Sequence, residues 1–152
     1  MGYNTDFWGE VSIEPTLSAA EVDFLNRFTS HHGRQENVYG DPEEYPSTYC
    51  QWVPTKDGMF LEWDGNEKFY EPAAWMKYLI VHFLQENCRA SQPSYNLPFM
   101  TGGHVLNGII DAQGDESDDR YRILVKDNHV FYWPTEPETF KEEAKVEIYL
   151  DA

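Results

Sequence analysis

The sequence predicts an α+β fold of the ferredoxin-like β-α-β-β-α-β type, with additional C-terminal strands that extend an antiparallel sheet and two helices on one face. Three observations predict this class. Strand-like alternation of apolar side chains occurs near both ends of the chain, helical spacing occurs in two separate segments, and an Asp-Gly turn joins two short strands between those helices. This order of elements is the split βαβ arrangement.

The first strand and the first helix have the clearest local signals. Phe7, Val11 and Ile13 alternate with polar side chains, which is typical of a half-buried strand. Ser18 and Glu21 then have the spacing of an N-terminal capping box, followed by apolar residues three and four apart. We therefore expect a strand over 7–14 and a helix that begins just after Ser18.

A long loop and a hairpin follow the first helix. Residues 33–48 show no periodicity and contain glycine and proline, and loops of this length in compact domains are usually functional or mobile. Residues 49–53 and 59–63 alternate on either side of Asp57-Gly58. An Asp-Gly pair between two such runs predicts a β-hairpin.

The second half of the chain predicts one helix and several strands. Pro72 suits a first helical turn, and the apolar spacing from Trp75 to Phe83 predicts a core-facing helix. Three later segments alternate as strands do: 105–112, 121–126 and 130–133. Residues 1–152 are predicted to form a single domain, in which 134–152 is a charged tail that could add an edge strand.

Charge restricts the partners that the protein can bind. Its 152 residues include 27 acidic and 11 basic side chains, a net charge of −16. A broad basic face for direct nucleic-acid binding is therefore not expected, whereas an acidic chain can imitate nucleic acid or dock on a basic protein. The sequence contains no long apolar run and no signal-peptide pattern, so we expect a cytosolic protein without membrane contact. A homo-oligomer remains open.

The predicted fold gathers one candidate ligand site. In a ferredoxin-like fold, residues 33–48, 64–71 and 112–119 would lie at the same end of the sheet. The candidate ligand-binding residues there are Arg34, Tyr39, Trp63, Asp64, Lys68, Tyr70 and Gln113. Such residues could stack a planar ring, pair with a phosphate and bind a ribose. The alternative is that Trp63 belongs to the core and the charges form a solvated rim.

Other clusters predict no metal, no cofactor and no catalytic residue. The acids of 111–119 lack the spacing of an EF-hand, and the His31-His32 pair has no second histidine pair to support a metal site. Glu62 and Asp64 could act as a carboxylate pair, although an acidic exterior is the commoner role. Cys50 and Cys88 lack a C-x-x-C motif, so no disulfide is expected.

Three blocks of sequence carry a resemblance. They are Cys50-Gln51-Trp52-Val53-Pro54, Leu61-Glu62-Trp63-Asp64-Gly65-Asn66-Glu67-Lys68-Phe69-Tyr70, and Trp75-Met76-Lys77-Tyr78-Leu79-Ile80-Val81-His82-Phe83-Leu84. Together they resemble a family of small uncharacterised proteins from bacteriophages and actinobacteria. The chain departs from that family in having Asn66 where a second glycine is usual and Ala112 where a tryptophan is common. The resemblance implies a phage or mobile-element accessory protein and carries no established activity.

The function expected from these features is binding without catalysis. The leading hypothesis is a non-enzymatic phage-type accessory protein, a counter-defence antagonist that sequesters a small nucleotide-like signal or blocks a host defence protein. One alternative is an acidic nucleic-acid mimic that inhibits a nucleic-acid-binding host protein. A second alternative is a small carboxylate-dependent hydrolase that uses Glu62 and Asp64.

Overall fold

The fold combines one antiparallel sheet with two α-helices, as seen in a computed structural model that describes residues 4–30, 39–134 and 144–150. The strands are β1 (Thr5–Glu14), β2 (Trp52–Pro54), β3 (Phe60–Trp63), β4 (Val105–Gly114), β5 (Arg120–Lys126), β6 (His129–Pro134) and β7 (Val146–Ile148). The helices are α1 (Ala19–Thr29) and α2 (Pro72–Leu79), and α2 continues into a π-helical turn, Ile80–Leu84. The predicted α+β class is therefore confirmed.

The sheet has seven strands in the order β2-β3-β1-β4-β5-β6-β7, and every neighbouring pair is antiparallel. The prediction of an antiparallel sheet extended by C-terminal strands is confirmed, because β5, β6 and β7 continue the sheet beyond β4. The order of all seven strands differs from that of a simple four-stranded ferredoxin fold, because β5, β6 and β7 are added beyond β4. The alternation at the C-terminal end of the chain does form an edge strand, β7.

The first helix begins where the sequence predicts. The Ser18 side chain accepts a hydrogen bond from the backbone N–H of Glu21 at 3.2 Å, and the Glu21 carboxylate accepts one from the backbone N–H of Ser18 at 2.9 Å. This capping box satisfies two N–H groups that no helical carbonyl reaches. The signal was readable from sequence because it depends only on residues three apart.

Strand alternation separates a covered face of the sheet from an open one. On β1, Phe7, Val11 and Ile13 are buried in the core cluster with residues of both helices, whereas Trp8 and Glu10 are exposed. Residues opposite one another in register point to the same side of a sheet, so the side of Trp8 can be followed from strand to strand. We call it the outer face; it carries the register row Trp8, Asp111, Arg122 and Trp133.

Strands β1 and β4 approach closely at two glycines. A Cβ atom at Gly9, where φ is +106°, would lie 2.5 Å from the carbonyl oxygen of Ile109. A Cβ atom at Gly108 would lie 2.5 Å from the carbonyl oxygen of Glu10. Because heavy atoms cannot approach so closely, only glycine fits at either position without a backbone shift. These two contacts fix how β4 lies against β1.

Neither helix in the three described ranges has the length and apolar character needed to cross a membrane.

Candidate functional site

The structure separates the described members of the predicted site. Arg34 lies outside the described residues. The other six occupy three places: Trp63, Asp64, Lys68 and Tyr70 lie at the end of β3 and in the link to α2, Tyr39 lies among the helices, and Gln113 lies on β4. The loop before β2, the link from β3 to α2 and the turn after β4 all lie toward the Thr5 end of the sheet, but the described side chains point to different sides of it.

The cavity beside Asp64 is unsuited to an anion. It measures about 320 Å³ and includes Thr29, Ser30, Gln51, Asp64, Asn66 and Glu67 in its lining. Two carboxylates therefore meet the carbonyl end of α1, where the helix dipole is negative. Of the described candidates, only Asp64 lines this cavity. A phosphate here would face repulsion from all three groups.

Trp63, the centre of the predicted site, packs against the core instead. Its ring lies 5.3 Å from that of Phe7, and its Nε1–H donates to Oε1 of Gln51 at 3.1 Å. Lys68 and Tyr70 are exposed on either side of Phe69, whose ring is buried against Phe7. The alternative that Trp63 is part of the core, with a charged rim around it, describes this region better.

Tyr39 is buried and forms a hydrogen bond with His82. Its hydroxyl shares a 2.6 Å hydrogen bond with Nδ1 of His82, and the ring of His82 stacks on Tyr78 at 3.9 Å. Burial, helped by the nearby charge of Arg89, lowers the pKa of His82 to about 4, so the imidazole is neutral at pH 7. His82 lies in the π-helical turn after α2. Tyr39 therefore joins the loop before β2 to the helix rather than lining a ligand site.

We expect Tyr39→Phe to lower the free energy of unfolding by about 1–3 kcal/mol, because it leaves Nδ1 of buried His82 without its partner. Urea unfolding followed by circular dichroism measures this loss. The same variant should leave ligand binding unchanged, which isothermal calorimetry checks. A variant that is fully stable but deficient in binding would contradict the structural role assigned to Tyr39.

Gln113 stabilises the acidic turn between β4 and β5. Its Nε2 donates to the carbonyl oxygens of Gly114 at 3.1 Å and Glu116 at 2.9 Å, and it lies 3.4 Å from that of Asp119. The side-chain amide therefore occupies the position toward which these three backbone oxygens point. Within the described ranges, no group of three or more His, Cys, Asp or Glu side chains is arranged to hold a metal ion.

A second cavity lies on the outer face of the sheet and is not among the sites predicted from sequence. It measures about 350 Å³ and is lined by Trp8, Asp111, Gln113, Arg120, Tyr121 and Arg122, among others. Trp8 is 54% exposed although its ring is the largest in the protein's first strand. Of the predicted site residues, Gln113 is the one that lines this cavity.

Cross-strand pairing orients the groups of this outer-face cavity. Trp8 lies opposite Asp111, and Asp111 lies opposite Arg122. The Nε–H of Arg122 donates to Oδ1 of Asp111 at 2.6 Å, with both side chains partly exposed. An exposed ion pair contributes little to stability. The pair of Arg122 and Asp111 instead fixes the plane of the guanidinium beside Trp8.

Strand β5 concentrates positive charge on the outer face. Arg120, Arg122 and Lys126 lie an even number of residues apart, so they share one face, while Ile123 and Val125 are buried on the other. Three of the protein's 11 lysine and arginine residues therefore lie on one side of one strand. The alternation of these cations with apolar residues is visible in the sequence.

No protein-family model, no curated protein and no solved structure matches this chain. The resemblance of its motifs to small proteins of bacteriophages and actinobacteria stays a prediction.

Proposed function

We propose that this protein is a non-enzymatic, phage-type accessory protein that sequesters a small nucleotide-like anion in the outer-face cavity, as a counter-defence antagonist. One observation carries the proposal: an exposed indole, Trp8, and two guanidiniums, Arg120 and Arg122, line the same cavity of about 350 Å³. Cavities that bind small molecules usually have volumes of about 300–1,000 Å³, so the space suits such a ligand.

The groups around the cavity match the parts of a nucleotide. A flat base could stack on Trp8, an interaction worth roughly 1–3 kcal/mol per base. A phosphate could accept paired hydrogen bonds from a guanidinium, the planar group best suited to phosphate geometry. Asp111 keeps Arg122 turned toward this space through the 2.6 Å hydrogen bond. The guanidinium would therefore need little reorganisation when the ligand binds.

Local charge favours this location over the cavity beside Asp64. The protein carries a net charge of −16, so an anion is repelled from most of its surface. Within the outer-face cavity, however, two guanidiniums meet one carboxylate. The cavity beside Asp64 instead combines Asp64 and Glu67 with the negative end of α1. An anionic ligand would therefore select the outer face.

Two finer descriptions are also proposals. The order β2-β3-β1-β4 supports describing the first four strands as a ferredoxin-like unit to which β5, β6 and β7 are added. Cys50 and Cys88 are buried free thiols, which supports a reducing compartment such as the host cytosol.

Titration calorimetry of the purified protein against cyclic and linear nucleotides tests the function. We expect at least one nucleotide to bind and Trp8→Ala to weaken its binding by roughly ten- to a hundredfold, because the stacking surface is lost. Arg122→Gln should also weaken nucleotide binding, and its effect should be larger for nucleotides that carry more phosphates. Trp8 is half exposed, so Trp8→Ala should fold normally, and its melting temperature should stay close to that of the wild type.

Two matched controls separate this site from the rest of the surface. Tyr70→Ala removes another exposed aromatic ring, and Arg27→Gln removes a guanidinium from the end of α1; both should leave binding unchanged. Loss of binding in Tyr70→Ala but not in Trp8→Ala would place the ligand at the link between β3 and α2 instead. If no nucleotide in the panel releases heat or shifts the melting temperature, sequestration is wrong and an antagonist that blocks a host protein becomes the better account.

A further inference from the structure

An apolar groove lies on the helix side of the sheet, and Tyr121 lines both this groove and the outer-face cavity. It measures about 340 Å³ and runs between the start of α2, with Pro72, Ala73 and Ala74, and the last strands, with Tyr132, Val146 and Ile148. Tyr132 and Val146 are opposite one another in register, as are neighbouring positions of β6 and β7. Small residues on the helix and large residues on the strands leave the groove open.

The groove borders a free edge of the sheet. Strand β7 is last in the strand order, and among residues 4–30, 39–134 and 144–150 no strand pairs with its other side. Val146 is 57% exposed at this edge. An exposed edge strand presents backbone N–H and C=O groups that another extended chain can pair with. Here the pairing edge and an apolar groove lie side by side.

Acidic groups lie near this groove. Glu71 is part of its wall. Burial raises the pKa of the Tyr132 hydroxyl, and the nearby carboxylate of Asp119 raises it further. The lysines of the neighbouring elements are engaged elsewhere, since Lys77 donates to the carbonyl oxygen of Asn128 and Lys145 lies over the rings of Phe131 and Trp133 on the outer face. The groove is therefore complementary to a positively charged partner.

We propose that the groove and β7 bind an extended peptide segment of a basic partner protein, with alternating apolar and basic side chains. The segment pairs with β7 as an eighth strand, and its apolar side chains enter the groove. Its basic side chains alternate to the other face of the sheet, where they lie beside Glu147 of β7. Recognition by strand addition combines backbone hydrogen bonds with pockets for every second side chain. A second copy of this chain is a poorer occupant, because two chains of charge −16 repel one another.

Fluorescence polarisation with the labelled peptide Lys-Val-Lys-Ile-Lys-Val-Lys tests the proposal on the whole protein. We expect saturable binding that Ala74→Arg weakens on the order of tenfold, because a long cationic side chain then fills the groove and repels the peptide. Ala20→Arg is the matched control, since it places the same charge in the first turn of α1 on an exposed position. It should leave peptide binding nearly unchanged.

Backbone methylation distinguishes strand addition from simple charge attraction. One probe peptide is N-methylated at its lysine residues and a second at its valine and isoleucine residues, so each loses the N–H groups of one strand edge only. Strand addition predicts that one probe binds and the other does not. Equal binding by both probes, equal failure of both, or equal weakening by Ala20→Arg and Ala74→Arg would overturn the proposal. It would also be overturned by sedimentation data showing a dimer that Ala74→Arg dissociates.

This result is independent of nucleotide binding. The peptide probes the helix side of the sheet, whereas Trp8 and Arg122 lie on the outer face. Trp8→Ala should therefore bind the peptide as the wild type does. Failure of the nucleotide panel with retained peptide binding would remove the proposed function and leave the docking groove in place.

Discussion

Phe28→Ala is expected to lower the free energy of unfolding by about 3–5 kcal/mol, because the cavity it leaves cannot easily collapse. Phe28 is fully buried at the end of α1. Its ring centroid lies 4.9–6.2 Å from those of five other aromatic rings: Tyr39, Tyr45, Trp75, Tyr78 and Phe83. Rigid rings on so many sides relax less than aliphatic side chains would. Since domains are typically stable by only about 5–15 kcal/mol, this loss is large.

Urea unfolding monitored by tryptophan fluorescence measures the effect of Phe28→Ala. Phe28→Leu keeps most of the volume and should cost clearly less. Tyr70→Ala removes a ring that is 58% exposed, so it should change stability by no more than about 0.5 kcal/mol. A loss below about 1 kcal/mol in Phe28→Ala would mean that the surrounding rings close the space, and that this aromatic cluster is less rigid than its geometry implies.

The elements that sequence predicted correctly have short-range signals. The capping box of Ser18 and Glu21 involves residues three apart, and the hairpin between β2 and β3 depends on Asp57-Gly58. Strand β7 needed only the alternation of Val146 and Ile148. Each of these patterns depends only on residues that are close together in sequence, so it predicts the local structure without reference to distant contacts. The class of the fold follows from the order of such elements.

The roles of the tryptophans could not be predicted in the same way. Trp8 and Trp63 both lie on strands next to alternating apolar residues, and nothing in their local sequence says which is exposed. Exposure depends on which face the helices cover, a property of tertiary packing. The helices cover the face of Phe7, so Trp8 points outward, while Trp63 packs against Phe7 and Gln51.

The positions of the predicted site residues also depend on tertiary packing. Gln113 lines the outer-face cavity, whereas Tyr39 packs among the helices and Trp63 packs against Phe7, so the structure separates these three residues. The cations that matter for the proposed ligand, Arg120 and Arg122, lie within a strand. Strand residues bind ligands only when their face of the sheet is left open, and that cannot be seen from alternation alone.

Breaking the buried pair of Glu21 and His104 is expected to cost about 3–5 kcal/mol, because the remaining charge has no partner in the interior. Nε2 of His104 lies 2.8 Å from Oε2 of Glu21, and Nδ1 lies 2.6 Å from the carbonyl oxygen of Pro15. Both ring nitrogens face acceptors, so both carry a proton and the imidazole is positively charged. Each side chain is only 4% exposed, which keeps water from replacing the lost partner.

The pH dependence of this pair has a definite sign. The hydrogen bond to Glu21 raises the pKa of His104 above 6.5, so its contribution is complete below pH 6.5 and is lost as pH rises through the folded-state value. Burial alone would raise the pKa of Glu21, but hydrogen bonds from His104 and Ser18 outweigh it and lower the pKa below 4.5. Its contribution is complete above pH 4.5 and is lost as pH falls through the folded-state value. The pair therefore stabilises most between pH 4.5 and 6.5.

Urea unfolding of the wild type, His104→Ala, Glu21→Ala and the double variant from pH 4 to 9 measures this contribution as a double-mutant cycle. The coupling energy should be largest between pH 4.5 and 6.5 and decline on both sides. His82, whose neutral form is also favoured by folding, is present in all four proteins and cancels. Ser18→Ala is the control for the capping box, which Glu21→Ala also breaks, and should cost only about 1 kcal/mol. A coupling energy that stays constant up to pH 9 would contradict a protonated His104 and indicate instead a neutral hydrogen bond, whose strength does not change with pH.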